Sequence, residues 1–83
     1  MDLAEVQRLM EELYGDADRA RGVPSTVAWL AEELGELAQA VRKGTREQQV
    51  HEFGDVLAWL ASLANQMHID LDDAMQRYVE NPP

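Results

Sequence analysis

Apolar residues recur along this chain at alternating intervals of three and four, the spacing that keeps them on one side of an α-helix. Over about residues 2–14 the stripe is Leu3, Val6, Met10 and Leu13, and Asp2 with Glu5 three residues on has the pattern of a capping box. Gly15 ends this segment, or the helix runs on weakly through Ala17 towards Arg21. The stretch from Gly15 to Ser25 is polar and charged and carries Gly22 and Pro24, so it reads as a loop and as the most mobile part of the chain. A second helix is expected from Ser25 or Thr26 as N-cap, with Val27, Leu30, Leu34, Leu37 and Val41 as its core stripe. Trp29, Glu33, Glu36 and Ala40 form a second stripe about 110° round the helix, flanking that core, while Glu32 points further towards solvent. Arg42 and Lys43 suit the end of a helix dipole, and Gly44 suits the left-handed position that follows it.

Thr45, with Gln48 three on, caps a third segment. Its main stripe is Val50, Phe53, Leu57, Leu60, Ala64 and Met67, and its flanking stripe is Glu52, Val56, Trp59 and Leu63, with Asp55 beside it. Two apolar stripes on one helix call for more than one neighbour. A fourth segment starts at Asp70, with Asp73 three on, and runs through Leu71, Ala74, Met75, Tyr78 and Val79 to Pro82 and Pro83. No alternating strand pattern occurs. The expected fold is all-α, a single four-helix bundle over residues 1–83, completed by oligomerisation because a chain this short buries little surface alone.

Segments two and three each carry two carboxylates three apart, Glu33 with Glu36 and Glu52 with Asp55. Residues at that spacing share one helix face. Folded back at Gly44 as an antiparallel hairpin, positions equidistant from the turn meet: Glu36 with Glu52, Glu33 with Asp55, and Trp29 with Trp59. Four carboxylates stacked in two layers repel strongly unless a cation joins them. Oxygen ligands alone favour a hard divalent ion, Mg²⁺ or Mn²⁺.

Composition narrows the picture further. The net charge of −9 disfavours nonspecific nucleic-acid or anionic-membrane binding. An anionic substrate needs metal ions or a few placed basic residues to offset that field. Cysteine is absent, which excludes disulfides and thiolate metal sites. The acidic start MDLAEVQRLMEE lacks a signal-peptide core and no run approaches a membrane span, so a soluble cytoplasmic protein is expected. A di-iron carboxylate bundle needs Glu-x-x-His motifs, and neither His51 nor His68 stands at that spacing. Both histidines read as surface or helix-end residues.

The segment EELGELAQA, the 15-residue gap between Glu36 and Glu52, and the segment EFGDVLAWLASLAN followed by HIDLDDAM resemble MazG-type nucleoside triphosphate pyrophosphohydrolases. These belong to the all-α NTP pyrophosphatase superfamily, with dimeric dUTPases and dCTP pyrophosphatases. The resemblance covers about residues 26–80 and rests on E-E-x-x-E (Glu32, Glu33, Glu36) and E-x-x-D (Glu52, Asp55). It implies a MazG-like bundle and Mg²⁺ ligation by Glu33, Glu36, Glu52 and Asp55. It also implies hydrolysis of an NTP or dNTP between the α- and β-phosphates, and a homodimer or dimer of dimers with its site at subunit contacts. Glu32 is the implied general base or a further ligand; as plain chemistry it is also a solvated glutamate. Arg77 and Asn81 match a Lys and Asn four apart that face phosphate or base in the family, with Arg for Lys. Trp59, one turn after Asp55, is placed to stack on a base or ribose. It is equally a residue for a subunit interface, as is Trp29.

Two departures from the family pattern stand out. The sequence ends at Pro83, where many relatives continue with more basic residues, so phosphate contacts are either incomplete or supplied by a partner chain. His68 occupies a position that relatives usually give to Gly. The competing reading is a non-catalytic acidic helical interaction module, in which the carboxylates are only a solvated face. A third is a Mg²⁺- or Mn²⁺-binding protein that acts with a separate domain.

Overall fold

The computed structural model describes residues 1–83 and contains four helices and no strand: α1 (Leu3–Arg21), α2 (Val23–Lys43), α3 (Arg46–Gln66) and α4 (Leu71–Glu80). Three helix starts follow the capping chemistry read above. Asp2 and Glu5 close a reciprocal capping box, and Thr45 and Gln48 close another. The Asp70 carboxylate accepts from the backbone N–H groups of Asp72 and Asp73.

The first connection differs from expectation. No loop spans Gly15 to Ser25; α1 continues unbroken to Arg21, and only Gly22 separates it from α2. Side-chain pairs at helical spacing hold this polar stretch in register: Asp16 with Arg19 at 2.9 Å and Asp18 with Arg21 at 2.8 Å. Arg19 also pairs with Glu11. The break falls at Gly22 because its φ of 89° suits a residue without Cβ. Pro24 lies in the first turn of α2, where its missing N–H is no loss. Neither Ser25 nor Thr26 is the N-cap; the Thr26 hydroxyl donates back to the Gly22 carbonyl at 3.0 Å.

Two further turns show why particular residues stand where they do. Gly44 is extended (φ −93°, ψ 170°) instead of left-handed. It is glycine because a Cβ there would lie 2.8 Å from the Ala40 carbonyl oxygen and 2.9 Å from the Ala40 Cα. His68 does take the left-handed conformation, with φ 55°. The Ile69 N–H reaches the Ala64 carbonyl and the His68 N–H reaches the Asn65 carbonyl, the paired bonds of a Schellman ending with His in the glycine position.

α2 and α3 form an antiparallel hairpin, and α1 lies along α3. The buried apolar residues are few and mostly small: Met10, Ala40, Ala61 and Ala64. Gln7 ties α1 to the α3–α4 turn, exchanging hydrogen bonds with Asn65 and bonding the Ile69 carbonyl and the Leu71 N–H. α4 packs chiefly on α1 and buries no residue.

The stripe expected to form the core does not form it within one chain. Val27, Leu34, Val41, Val50, Phe53, Leu57 and Leu60 are exposed, Phe53 at 62%. The acidic stripe instead faces the seam between α2 and α3. The residues between the exposed and acidic stripes, Leu30 and Leu37, are only half-buried. An uncovered apolar strip of this length is uncommon on a monomer.

Candidate metal centre and adjoining cavity

The short Gly44–Thr45 connection sets the register of α2 against α3, and that register brings the carboxylates together. Glu33, Glu36 and Glu52 each offer an oxygen within 4.8 Å of the others. Asp55 stands one turn further along α3 and groups with Glu52 and His51, again within 4.8 Å. The two groups share Glu52. His51 Nε2 lies 3.1 Å from Asp55 Oδ2.

Two of these oxygens, Glu33 Oε2 and Glu52 Oε2, are buried and accept no hydrogen bond. A buried acceptor without a donor costs on the order of 1–3 kcal/mol, more when charged. Burial, then the charges of Glu36 and Asp55, push the Glu33 carboxyl above its ordinary value. Unpartnered oxygens, gathered like charges and an all-oxygen core with one imidazole at its margin suit a hard divalent cation. Glu33, Glu36, Glu52 and Asp55 are the residues that could hold it, with His51 beside them.

The register also brings the indoles together: Trp29 and Trp59 stack with centroids 5.8 Å apart and planes at 12°. The Arg21 guanidinium lies over the Trp59 ring, 4.8 Å from its centre. Between α1 and α3 a cavity of about 310 Å³ is walled by Met10, Tyr14, Asp18, Arg21, Asp55 and Trp59. On the other side, towards the hairpin turn, a polar cavity of about 460 Å³ is walled by Glu36, Lys43, Gln48 and Glu52. The carboxylates therefore stand between an aromatic cavity and a polar one.

The remaining residues singled out in the sequence lie apart from this cluster. Glu32 is exposed on α2, outside the converging oxygens. Arg77 lies over its neighbour Tyr78 at 4.9 Å and donates to the Tyr78 hydroxyl. Asn81 caps the end of α4. Neither Arg77 nor Asn81 lines the two cavities beside the carboxylates.

The sequence alone sets His51 aside as a surface or helix-end residue, where the structure groups it with Glu52 and Asp55, and it does not single out Asp18 or Arg21. His51 stands four before Asp55, a helical-face spacing that is visible in the sequence once His is paired with Asp instead of Glu. Asp18 and Arg21 were hidden by assigning their stretch to a loop; their spacing of three becomes meaningful only when α1 is extended through them.

A family model for the MazG nucleotide pyrophosphohydrolase domain matches residues 21–81. That region takes in α2, α3, α4 and the carboxylates, and leaves nearly all of α1 outside. The chain is also 32% identical over 97 residues to the uncharacterized protein YvdC of Bacillus subtilis (strain 168), an alignment covering 96% of this chain and 92% of that protein.

Proposed function

Since the chain belongs to the MazG nucleotide pyrophosphohydrolase family, we propose that it cleaves a nucleoside or deoxynucleoside triphosphate between the α- and β-phosphates. The products are the monophosphate and pyrophosphate. The observation that carries this reading is the convergence of Glu33, Glu36 and Glu52, two of them with buried oxygens that lack a donor. An acidic face kept for solubility or for docking gains nothing from buried, unpartnered carboxylate oxygens.

Glu33, Glu36, Glu52 and Asp55 hold Mg²⁺, or Mn²⁺, in this reading. Bound there, the ion neutralises charge on the triphosphate and makes a water more acidic. The chain supplies the rest. Its four carboxylates fix where the ion would sit and so where the phosphates would meet the nucleophile, and such positioning is most of what phosphoryl transfer requires. Glu32, exposed one residue before the cluster, is the candidate to accept the proton of the attacking water. Trp59, which lines the cavity beside Asp55 with Trp29 and Arg21 against its ring, would contact base or ribose there. Arg77 and Asn81, which line neither cavity of their own chain, would reach phosphate or base from α4 of a partner protomer.

The uncovered strip on α2 and α3 supports a homodimer, or a dimer of dimers, as the working form. The role that fits is removal of surplus or noncanonical nucleotides in the cytoplasm, by a single domain over residues 1–83. No helix is long and apolar enough to cross a membrane. The test is pyrophosphate release from a panel of nucleotides with Mg²⁺ and with EDTA. Release that needs Mg²⁺ and exceeds that of Glu36→Gln is expected; no release above that variant would return the chain to the acidic-module reading.

A further inference from the structure

The cavity between α1 and α3 has a built polar wall. Asp18 is almost fully buried, at 4% exposure, in a helix whose outer face is solvated. A carboxylate is seldom kept in such a place without paired charge and hydrogen bonds. One of its oxygens, Oδ1, accepts from Arg21 Nη1 at 2.8 Å. The same Nη1 lies 3.3 Å from the Thr26 hydroxyl, itself held by the Gly22 carbonyl and by Gln66 Nε2 at 2.8 Å. The pair is thus fixed from α1, α2 and α3 at once. The second Asp18 oxygen accepts no hydrogen bond, Arg21 keeps its Nη2 and Nε donors with its guanidinium over Trp59, and both residues line the cavity.

Tyr14, Trp59, Met10 and Ala58 give the cavity flat or apolar walls, and Ser62 and Asp55 complete it. A slot with aromatic walls and, at one side, an acceptor beside a donor is complementary to a planar heterocycle carrying an N–H next to a lone pair. That is the hydrogen-bonding edge of a nucleobase. Asp55 belongs both to this cavity and to the acidic cluster, so a base seated here places its sugar and α-phosphate at the carboxylates. The β- and γ-phosphates then point to the opposite cavity, where Lys43 and Gln48 offer donors to the departing pyrophosphate.

We propose that Asp18 and Arg21 read the base edge of the nucleotide and set which nucleotide the protein accepts. This rests on the pyrophosphohydrolase reading above and adds to it a direction for the substrate. A site whose buried polar groups are left unpaired by the wrong ligand discriminates strongly, up to about 10⁴-fold or more. Asp18 and Tyr14 lie outside residues 21–81, so nucleotide choice is set largely from a part of the chain that the family model does not describe.

The test is kcat/KM for the four common dNTPs and four NTPs, with wild type, Asp18→Asn and Arg21→Lys. Each is also titrated with non-hydrolysable α,β-methylene dNTPs by calorimetry, and each is checked for helicity and for its Mg²⁺-induced rise in Tm. Arg21→Lys keeps the charge and the pairing with Asp18, so it serves if Asp18→Asn fails to fold. The expected result is a changed order of base preference and at least a tenfold narrower spread between best and worst base, with the Mg²⁺ response kept. Unchanged base preference in folded variants that turn over would overturn the assignment and leave the hydrolase reading intact. Base-selective binding that these variants abolish, without turnover by wild type, would support the assignment and remove the hydrolase reading.

Discussion

Glu33→Gln separates a metal centre from a merely acidic surface, because only a metal centre reverses the sign of the stability change when Mg²⁺ is added. Glu33 sits within 4.8 Å of carboxylate oxygens of both Glu36 and Glu52. Two unit charges at that distance repel by about 3.5 kcal/mol at an effective dielectric of about 20, and by about 0.9 kcal/mol in water. Glu36 is exposed and Glu52 half-buried, so the real relief lies towards the low end, on the order of 1–2 kcal/mol for the pair of contacts. At about 4–8 °C per kcal/mol for a domain of this size, the metal-free variant should melt roughly 5–10 °C above metal-free wild type.

In Mg²⁺ the order should reverse. A ligand at about 100 times its Kd stabilises wild type by about 2.7 kcal/mol, and the variant, short of one ligand, loses most of that gain. The assay is thermal unfolding by circular dichroism in EDTA and in Mg²⁺, at one protein concentration. A pH series adds a sign check. The folded Glu33 carboxyl lies above its ordinary value of 4.5, so the native state binds the extra proton. Metal-free wild type therefore loses stability as pH rises from about 4.5 through the raised value, and Glu33→Gln should flatten that slope. If Glu33→Gln melts lower than wild type in EDTA, or keeps the full Mg²⁺ response, the carboxylates are not a strained cation site and the argument fails.

Three further substitutions test other parts of the molecule. His68→Gly relieves a left-handed residue at the end of α3 and should stabilise the protein by about 1 kcal/mol, read as a higher urea midpoint at unchanged m-value. Gly44→Ala drives a Cβ into the Ala40 backbone; a loss of about 1–3 kcal/mol is expected, and a weaker Mg²⁺ response, since this turn sets the register of the carboxylates. Phe53→Asp places a charge in the uncovered strip and should give a monomer by light scattering while far-UV helicity is kept; persistent dimers would put the contact elsewhere.

The helices were legible because their signals are local. Capping pairs at Asp2, Thr45 and Asp70 and an apolar period near 3.6 depend only on neighbours in sequence. The break between α1 and α2 was misplaced for the same reason. Gly15, Gly22 and Pro24 are all breakers by propensity, yet Gly15 is buried inside α1 and Pro24 is harmless in a first turn, so only Gly22 breaks the chain. The meeting of Glu33, Glu36 and Glu52 was also legible, since an antiparallel hairpin about a short turn fixes which positions oppose.

What the sequence determined by itself is thus the four helices, the hairpin and the meeting of Glu33, Glu36 and Glu52, all set by interactions within a few residues or by symmetry about one turn. Asp55, expected opposite Glu33, groups instead with Glu52 and His51. The tertiary structure decided which stripe turns inward. Periodicity finds the faces of a helix but ranks them by apolarity, whereas the small residues Ala40, Ala61 and Ala64 are what let the helices close on one another. That packing turned the acidic stripe to the seam, left the larger side chains of Val50 and Phe53 uncovered, and brought Asp18 and Arg21 of α1 to the wall shared with Asp55. Contacts between helices depend on which faces pack best in three dimensions, and no local pattern encodes that choice.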